Sequence, residues 1–145
     1  MFISCFFKKI VLIAVVFCTA GCISSRIAGR AQEVRFDELM YVGSGKSSFY
    51  SDSFDGQKTA SGEIYESEDY TAAHPTLPFG TVLLVKRRSN SRFVLVRVND
   101  RGPFMGDRRI DLSRAAAAKL GILLKGVSAV DIYIVPERST LAAML

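Results

Sequence analysis

Hydrophobic and polar residues divide this chain into an apolar leader, a weakly patterned stretch and a region of short alternating runs. Residues 10–20, IVLIAVVFCTA, are continuously apolar. Residues 23–41 scatter Arg26, Arg30 and Arg35 among small side chains and predict a tether, with a short helix near 36–40. KSSFYS at 46–51 is the first strand pattern, and the polar, turn-rich 52–61 is a loop long enough to carry function. TVLLVKR at 81–87 and RFVLVRV at 92–98 are strand-like runs around the tight turn SNS, which predicts a hairpin. DLSRAAAAKLG at 111–121 predicts the one helix: Asp111 or Ser113 can cap it, the alanines favour its middle and Gly121 suits its stop. VSAVDIYIV at 127–135 is a last strand, ended by Pro136 and followed by a short tail, 137–145.

Strands dominate, one helix is inserted late, and no βα alternation is present, which argues against a doubly wound sheet. Several short apolar strands need an arrangement without exposed edges, so a small closed β-barrel is expected. The expected organisation is a leader at 1–21, a tether at 22–42, a barrel domain at 43–136 and the tail.

The leader changes the picture of location. Lys8 and Lys9 precede the apolar run, which is too short to span a bilayer as a mature helix and has the order of a secretory signal. It ends in TAGC at 19–22, which resembles a bacterial lipobox although Thr19 stands where leucine is usual. Cleavage before Cys22 would leave Cys22 to carry acyl chains such as palmitate, enough in number for stable membrane anchoring. The alternative is a plain cleaved signal in which Cys22 is incidental. Cys5 and Cys18 lie inside the leader, so a mature chain would keep no pair to oxidise. Without Lys8 and Lys9 the formal charge is +3, with nine basic and three acidic residues between Lys86 and Arg114. Behind a secretory signal, a basic face points to wall glycan or lipid headgroups rather than nucleic acid, or is simply a solvated surface.

The chemistry on offer is narrow. His74 is the single histidine, in TAAHPTLPFGT, and without a cysteine or second histidine beside it zinc has no ligand set. Signatures for a nucleophile elbow or a phosphate-binding glycine loop are absent. Carboxylates remain: Glu63 in TASGEIY, Asp100 in VNDRGPF and Asp111 before the helix. From spacing alone Asp100 is either a turn residue at a strand end or a carboxylate held at the edge of a cleft.

Five stretches, taken in order, sharpen that choice. GKSSFYSDSFDGQKTASGEIYE, TAAHPTLPFGTVLLV, VLVRVNDRGPF, RIDLSRAAAAKLG and GVSAVDIYIV cover most of residues 45–135, and together they resemble the rare lipoprotein A family. The resemblance implies a lipid-anchored protein with a six-stranded double-psi β-barrel, related to the barrels of expansins and some endoglucanases. It implies lytic transglycosylase activity on peptidoglycan, with preference for strands stripped of stem peptides. Position by position it makes Asp100 the general acid, with His74 and Glu63 in the same cleft. Phe49, Tyr50 and Asn99 are candidate substrate-binding residues, although for each of the two aromatics core packing is the favoured role. Ile23 after the lipidated cysteine, where an inner-membrane lipoprotein would carry aspartate, implies the periplasmic face of the outer membrane. No cofactor is implied, and the glycan-binding SPOR domain of many members is expected to be absent.

Lytic cleavage needs one carboxyl group, because the C6 hydroxyl of the same MurNAc displaces the leaving oxygen, whereas hydrolytic glycosidases use two. An acid must hold its proton near neutral pH, so Arg101 is expected to face away from the cleft, and burial with Glu63 to favour the protonated Asp100. A non-catalytic, expansin-like glycan binder would use the same cleft, and a docking barrel is a third reading.

Overall fold

The computed structural model describes residues 38–137. The leader, Cys22, most of the tether and nearly all of the tail lie outside the described residues. Six strands, β1 (Met40–Phe49), β2 (Thr71–Ala73), β3 (Val82–Arg87), β4 (Phe93–Asp100), β5 (Arg108–Leu112) and β6 (Ser128–Ile134), close into a barrel with the order β1-β5-β2-β4-β3-β6. The one α-helix among the described residues, α1 (Arg114–Leu120), links β5 to β6, and a short 3-10 turn covers Asp52–Phe54. The pairs β1–β5 and β2–β4 run parallel and the rest antiparallel, so the chain crosses over itself between paired strands.

The core follows from strand parity. Val94, Val96 and Val98 of β4 and Ile110 and Leu112 of β5 are fully buried or nearly so, and meet Leu83, Val85, Val130 and Ile132 inside the barrel. Their neighbours Arg97, Asn99, Arg109 and Asp111 belong to the other face, as period-two alternation requires. Helix α1 lays Ala116, Ala117 and Leu120 on this core. Alanine at two of those positions lets the helix backbone approach the barrel closely. Ser113 starts the helix, its Oγ accepting the Ala116 N–H, and donates to the Asp69 carbonyl; Gly121 ends it in the left-handed region at φ 77°. The buried Arg87 then donates from Nη1 to the Gly121 carbonyl at 2.7 Å, satisfying an otherwise open helix end.

The hairpin of β3 and β4 and the last strand stand within two residues of their expected places. Other elements differ from the sequence reading. β1 starts at Met40, so strand replaces the end of the expected tether and helix. Asp111 lies in β5, which shortens the helix and leaves capping to Ser113 alone. β2 and β5 themselves have no clear apolar alternation: one is the tripeptide TAA and the other is RRIDL, with two arginines and an aspartate.

Replacing Ser113 with alanine removes the helix cap, leaves the buried Thr71 N–H without the Ser113 hydroxyl and removes a donor to the Asp69 carbonyl. We expect a loss of about 2 kcal/mol, read as a lower urea midpoint at unchanged slope.

Candidate active site

The end of β4 carries the site. On β2 the register against β4 shifts between Ala72 and Ala73, which face Val98 and Asp100, so Asn99 is an extra residue at a bulge. A bulge re-aims side chains at a sheet margin. Here Asn99 is buried and its Nδ2 donates to Glu63 Oε2 at 3.1 Å, while Asp100 stands half-buried at the barrel's end.

Three donors converge on the Asp100 carboxylate. The Ala60 N–H reaches Oδ1 at 2.7 Å and the Arg101 N–H reaches it at 2.8 Å, while the Tyr50 hydroxyl donates to Oδ2 at 2.7 Å. Burial, then the Asp100 carboxylate, push the Tyr50 phenol well above its ordinary range, so it stays protonated and donating. Tyr50 also sits against Tyr65, with ring centroids 4.8 Å apart, and edge-on to Phe54 at 5.7 Å. Its hydroxyl, rather than a bare stacking face, is its contribution here. Phe49, the other aromatic candidate, points the opposite way and packs on the core cluster.

The Arg101 side chain leaves the carboxylate, as parity suggested. Its guanidinium lies 3.7 Å from the centre of the Phe79 ring and donates from Nη1 to the Leu77 carbonyl at 2.9 Å. It thereby clamps the segment after β2 that carries His74.

Glu63 and His74 flank Asp100 in different ways. Glu63 forms a two-pronged pair with Arg97, at 2.7 and 2.9 Å, and also accepts from Asn99. Those hydrogen bonds, Arg97 first and Asn99 second, hold its carboxyl below the usual range, so it is a carboxylate. Among the described residues no hydrogen bond joins Glu63 to Asp100; the Glu63 carboxylate is bonded to Arg97 and Asn99 instead. His74 is buried on the other side, its main-chain N–H donating to the Asp100 carbonyl at 3.2 Å. Its Nδ1 accepts from the N–H groups of Thr76 and Leu77, at 3.3 and 3.1 Å, which places the proton of the neutral ring on Nε2. Burial lowers its pKa, and the positive charges of Arg101 and Arg109 lower it further.

A second carboxylate shares this face. Asp111 accepts from Ser48 Oγ and from Arg108 Nη1, the latter at 3.1 Å, and Ser48 is two residues before Tyr50 on β1. The sequence offers Asp111 as one of two possible helix caps and as a candidate carboxylate; it does not single out Arg97, whose place two residues before Asn99 on one strand face is the available signal.

Comparison with known proteins agrees with this architecture. A family model described as lytic transglycolase matches residues 42–132. The chain belongs to that family. A probable endolytic peptidoglycan transglycosylase RlpA of Treponema pallidum is 51% identical over 92 residues, spanning 63% of this chain and 29% of that protein. The endolytic peptidoglycan transglycosylase RlpA of Neisseria meningitidis serogroup A is 43% identical over 117 residues, spanning 80% of this chain and 49% of its own length. This chain therefore spans less than half the length of these relatives. Among solved structures, Streptomyces papain inhibitor superposes with a TM-score of 0.54 at 29% identity, covering 67% of this chain and 96% of the inhibitor. The Clavibacter michiganensis expansin superposes at 0.55 with 18% identity, covering 67% of this chain and 52% of the expansin, a likeness of fold alone. The rare lipoprotein A resemblance and the double-psi β-barrel are thus borne out.

The histidine gives a measurable check. Since its folded pKa is lowered, the folded protein binds fewer protons than the unfolded chain around and below pH 6.5. The stability it contributes is present above 6.5 and falls as pH drops below that value. Nitrogen-15 NMR at neutral pH should show Nε2 protonated, Nδ1 bare and a titration midpoint below 6.5. A midpoint above it would contradict the geometry.

Proposed function

We propose that this protein cleaves the MurNAc–GlcNAc bond of peptidoglycan by lytic transglycosylation. The observation that carries the reading is the half-buried Asp100 carboxyl at the end of β4, held by the Tyr50 hydroxyl and the Ala60 and Arg101 N–H groups, with no cationic side chain hydrogen-bonded to it among the described residues. The names of the relatives agree with it. In the first half of the reaction, protonated Asp100 gives its proton to the glycosidic oxygen as the bond from that oxygen to C1 of MurNAc breaks. The C6 hydroxyl of the same MurNAc bonds to C1, and its proton passes to the Asp100 carboxylate. The products are a free GlcNAc 4-hydroxyl and a 1,6-anhydroMurNAc end, and Asp100 is again protonated. The three donors match the carboxylate form, which exists between the two proton transfers and must take the second proton. Glu63, kept ionised by Arg97, supplies negative charge beside the oxocarbenium-like sugar, and the His74 Nε2–H is a neutral donor.

Replacing Asp100 with asparagine keeps the shape and removes the transferable proton. We expect anhydro-ended fragments, read by mass spectrometry, to fall by at least about 100-fold. Reducing-end products from the unaltered protein would mean hydrolysis. Saturable glycan binding with no fragments would favour an expansin-like binder, the reading suggested by the shared barrel.

The protein is further proposed to be anchored by acyl chains on Cys22 to the periplasmic face of the outer membrane, supported by the leader and TAGC. Cys22→Ala should move it from the membrane pellet to the soluble fraction. Retention in the pellet would refute the anchor.

A further inference from the structure

Beside Pro75, which directly follows His74, lies a cavity of about 490 Å³, within the range of small-molecule sites. Lys46, Arg88, Arg108 and Arg109 line it, with Asp107 as the one acidic wall residue and Pro75 at the side nearest His74. Most of this positive charge is already matched. Lys46 meets Asp107 at 2.8 Å, Arg108 meets Asp111 at 3.1 Å, and Arg88 stands 3.8 Å from Asp131. Among the described residues Arg109 has no ion pair and no hydrogen bond, so the cavity keeps one unmatched positive charge.

Arg109 is nonetheless placed. A Cβ on Gly45 would fall 2.2 Å from Arg109 Cγ and 3.1 Å from its Cβ. The Gly45 backbone does not itself demand glycine. The bare Cα of β1 is what allows the Arg109 stem to lie across that strand. The cavity lies near His74, which feels the positive charge of Arg109. Arg108 Nη1 donates to Ser48 Oγ at 2.8 Å, Ser48 is two residues from Tyr50, and Pro75 directly follows His74.

We propose that this cavity is a carboxylate subsite, in which Arg109, seated by Gly45, binds the lactyl carboxylate of a peptide-free MurNAc neighbouring the cleaved bond. The proposal rests on the lytic reading for its substrate. On a glycan strand, the lactyl group ionises only where no stem peptide is attached, because the peptide converts it to an uncharged amide. A guanidinium takes a planar carboxylate with two parallel hydrogen bonds, and one unmatched charge suits a monoanion better than a phosphate dianion. Arg109 is thus a specificity residue: it distinguishes stripped glycan from peptide-bearing glycan by charge.

The test uses the full chain with peptide-stripped glycan and with the same glycan after its carboxyl groups are converted to methylamides. The unaltered protein should cleave the stripped form roughly 10-fold faster or more, the worth of one charged hydrogen-bonded contact. Arg109→Ala should lower cleavage of the stripped form and bring the ratio of the two rates near one. Gly45→Ala should do the same by displacing Arg109, and Arg109→Lys should keep part of the preference. Equal rates on both glycans for the unaltered protein, or an unchanged ratio in Arg109→Ala, would overturn the subsite. Equal rates accompanied by Arg109-dependent binding to phosphatidylglycerol vesicles would overturn it in favour of a lipid headgroup. If the unaltered protein cuts neither glycan, the lytic reading fails separately. Co-sedimentation then decides: tighter binding of the stripped form, lost in Arg109→Ala, supports the subsite, and equal binding overturns it.

Discussion

The Asp100 carboxylate is the knot of this structure. Its three hydrogen bonds reach the residue after β1, the loop before β2 and the turn after β4. These segments are far apart in sequence, and none has enough apolar surface to fix its position alone. The 51–66 region in particular is largely exposed, with Tyr65 and Thr59 its buried residues. A charged acceptor with directed donors supplies the missing specification, since such bonds are short, directional and stronger than neutral ones. The proposed catalytic group and the organiser of its surroundings are therefore one side chain.

Around that knot the electrostatics are sorted by partner. Arg97 is spent on Glu63, Arg101 on carbonyls and the Phe79 ring, and Arg108 on Asp111. Each of these three guanidinium groups has another partner, and none is hydrogen-bonded to the Asp100 carboxylate. The basic stretch between residues 86 and 114 is thus not an undivided cationic surface. Arg109 remains over, and it lies in the cavity rather than on the carboxylate.

Strong apolar runs made the hairpin and the last strand legible in the sequence, and a cap, an alanine run and Gly121 made the helix so, because each signal is local. β2 and β5 were not legible as strands. TAA is three residues, and its burial comes from being sandwiched between β4 and β5. RRIDL carries its signal in Ile110 and Leu112 alone, against the charges of Arg108, Arg109 and Asp111. Motif likeness placed Glu63, His74 and Asp100 around one strand end, but could not give their bonds. The neutral His74 tautomer depends on N–H groups two and three residues onward, and Tyr50 meets Asp100 only because β1 and β4 end at the same rim. The division between Phe49 and Tyr50 was implicit in strand alternation: one had to face the core and the other the groove.

The order of strands has a kinetic consequence. β6 lies between β1 and β3, so the first strand of the barrel waits for nearly the last residues of the domain to obtain its second neighbour. Contacts of such long sequence separation make closure slow. A chain halted before residue 128 would bare the hydrogen-bonding edges of both β1 and β3, inviting intermolecular pairing. Vectorial synthesis therefore gains this barrel little head start, and its protection from aggregation must come from whatever holds the unfinished polypeptide.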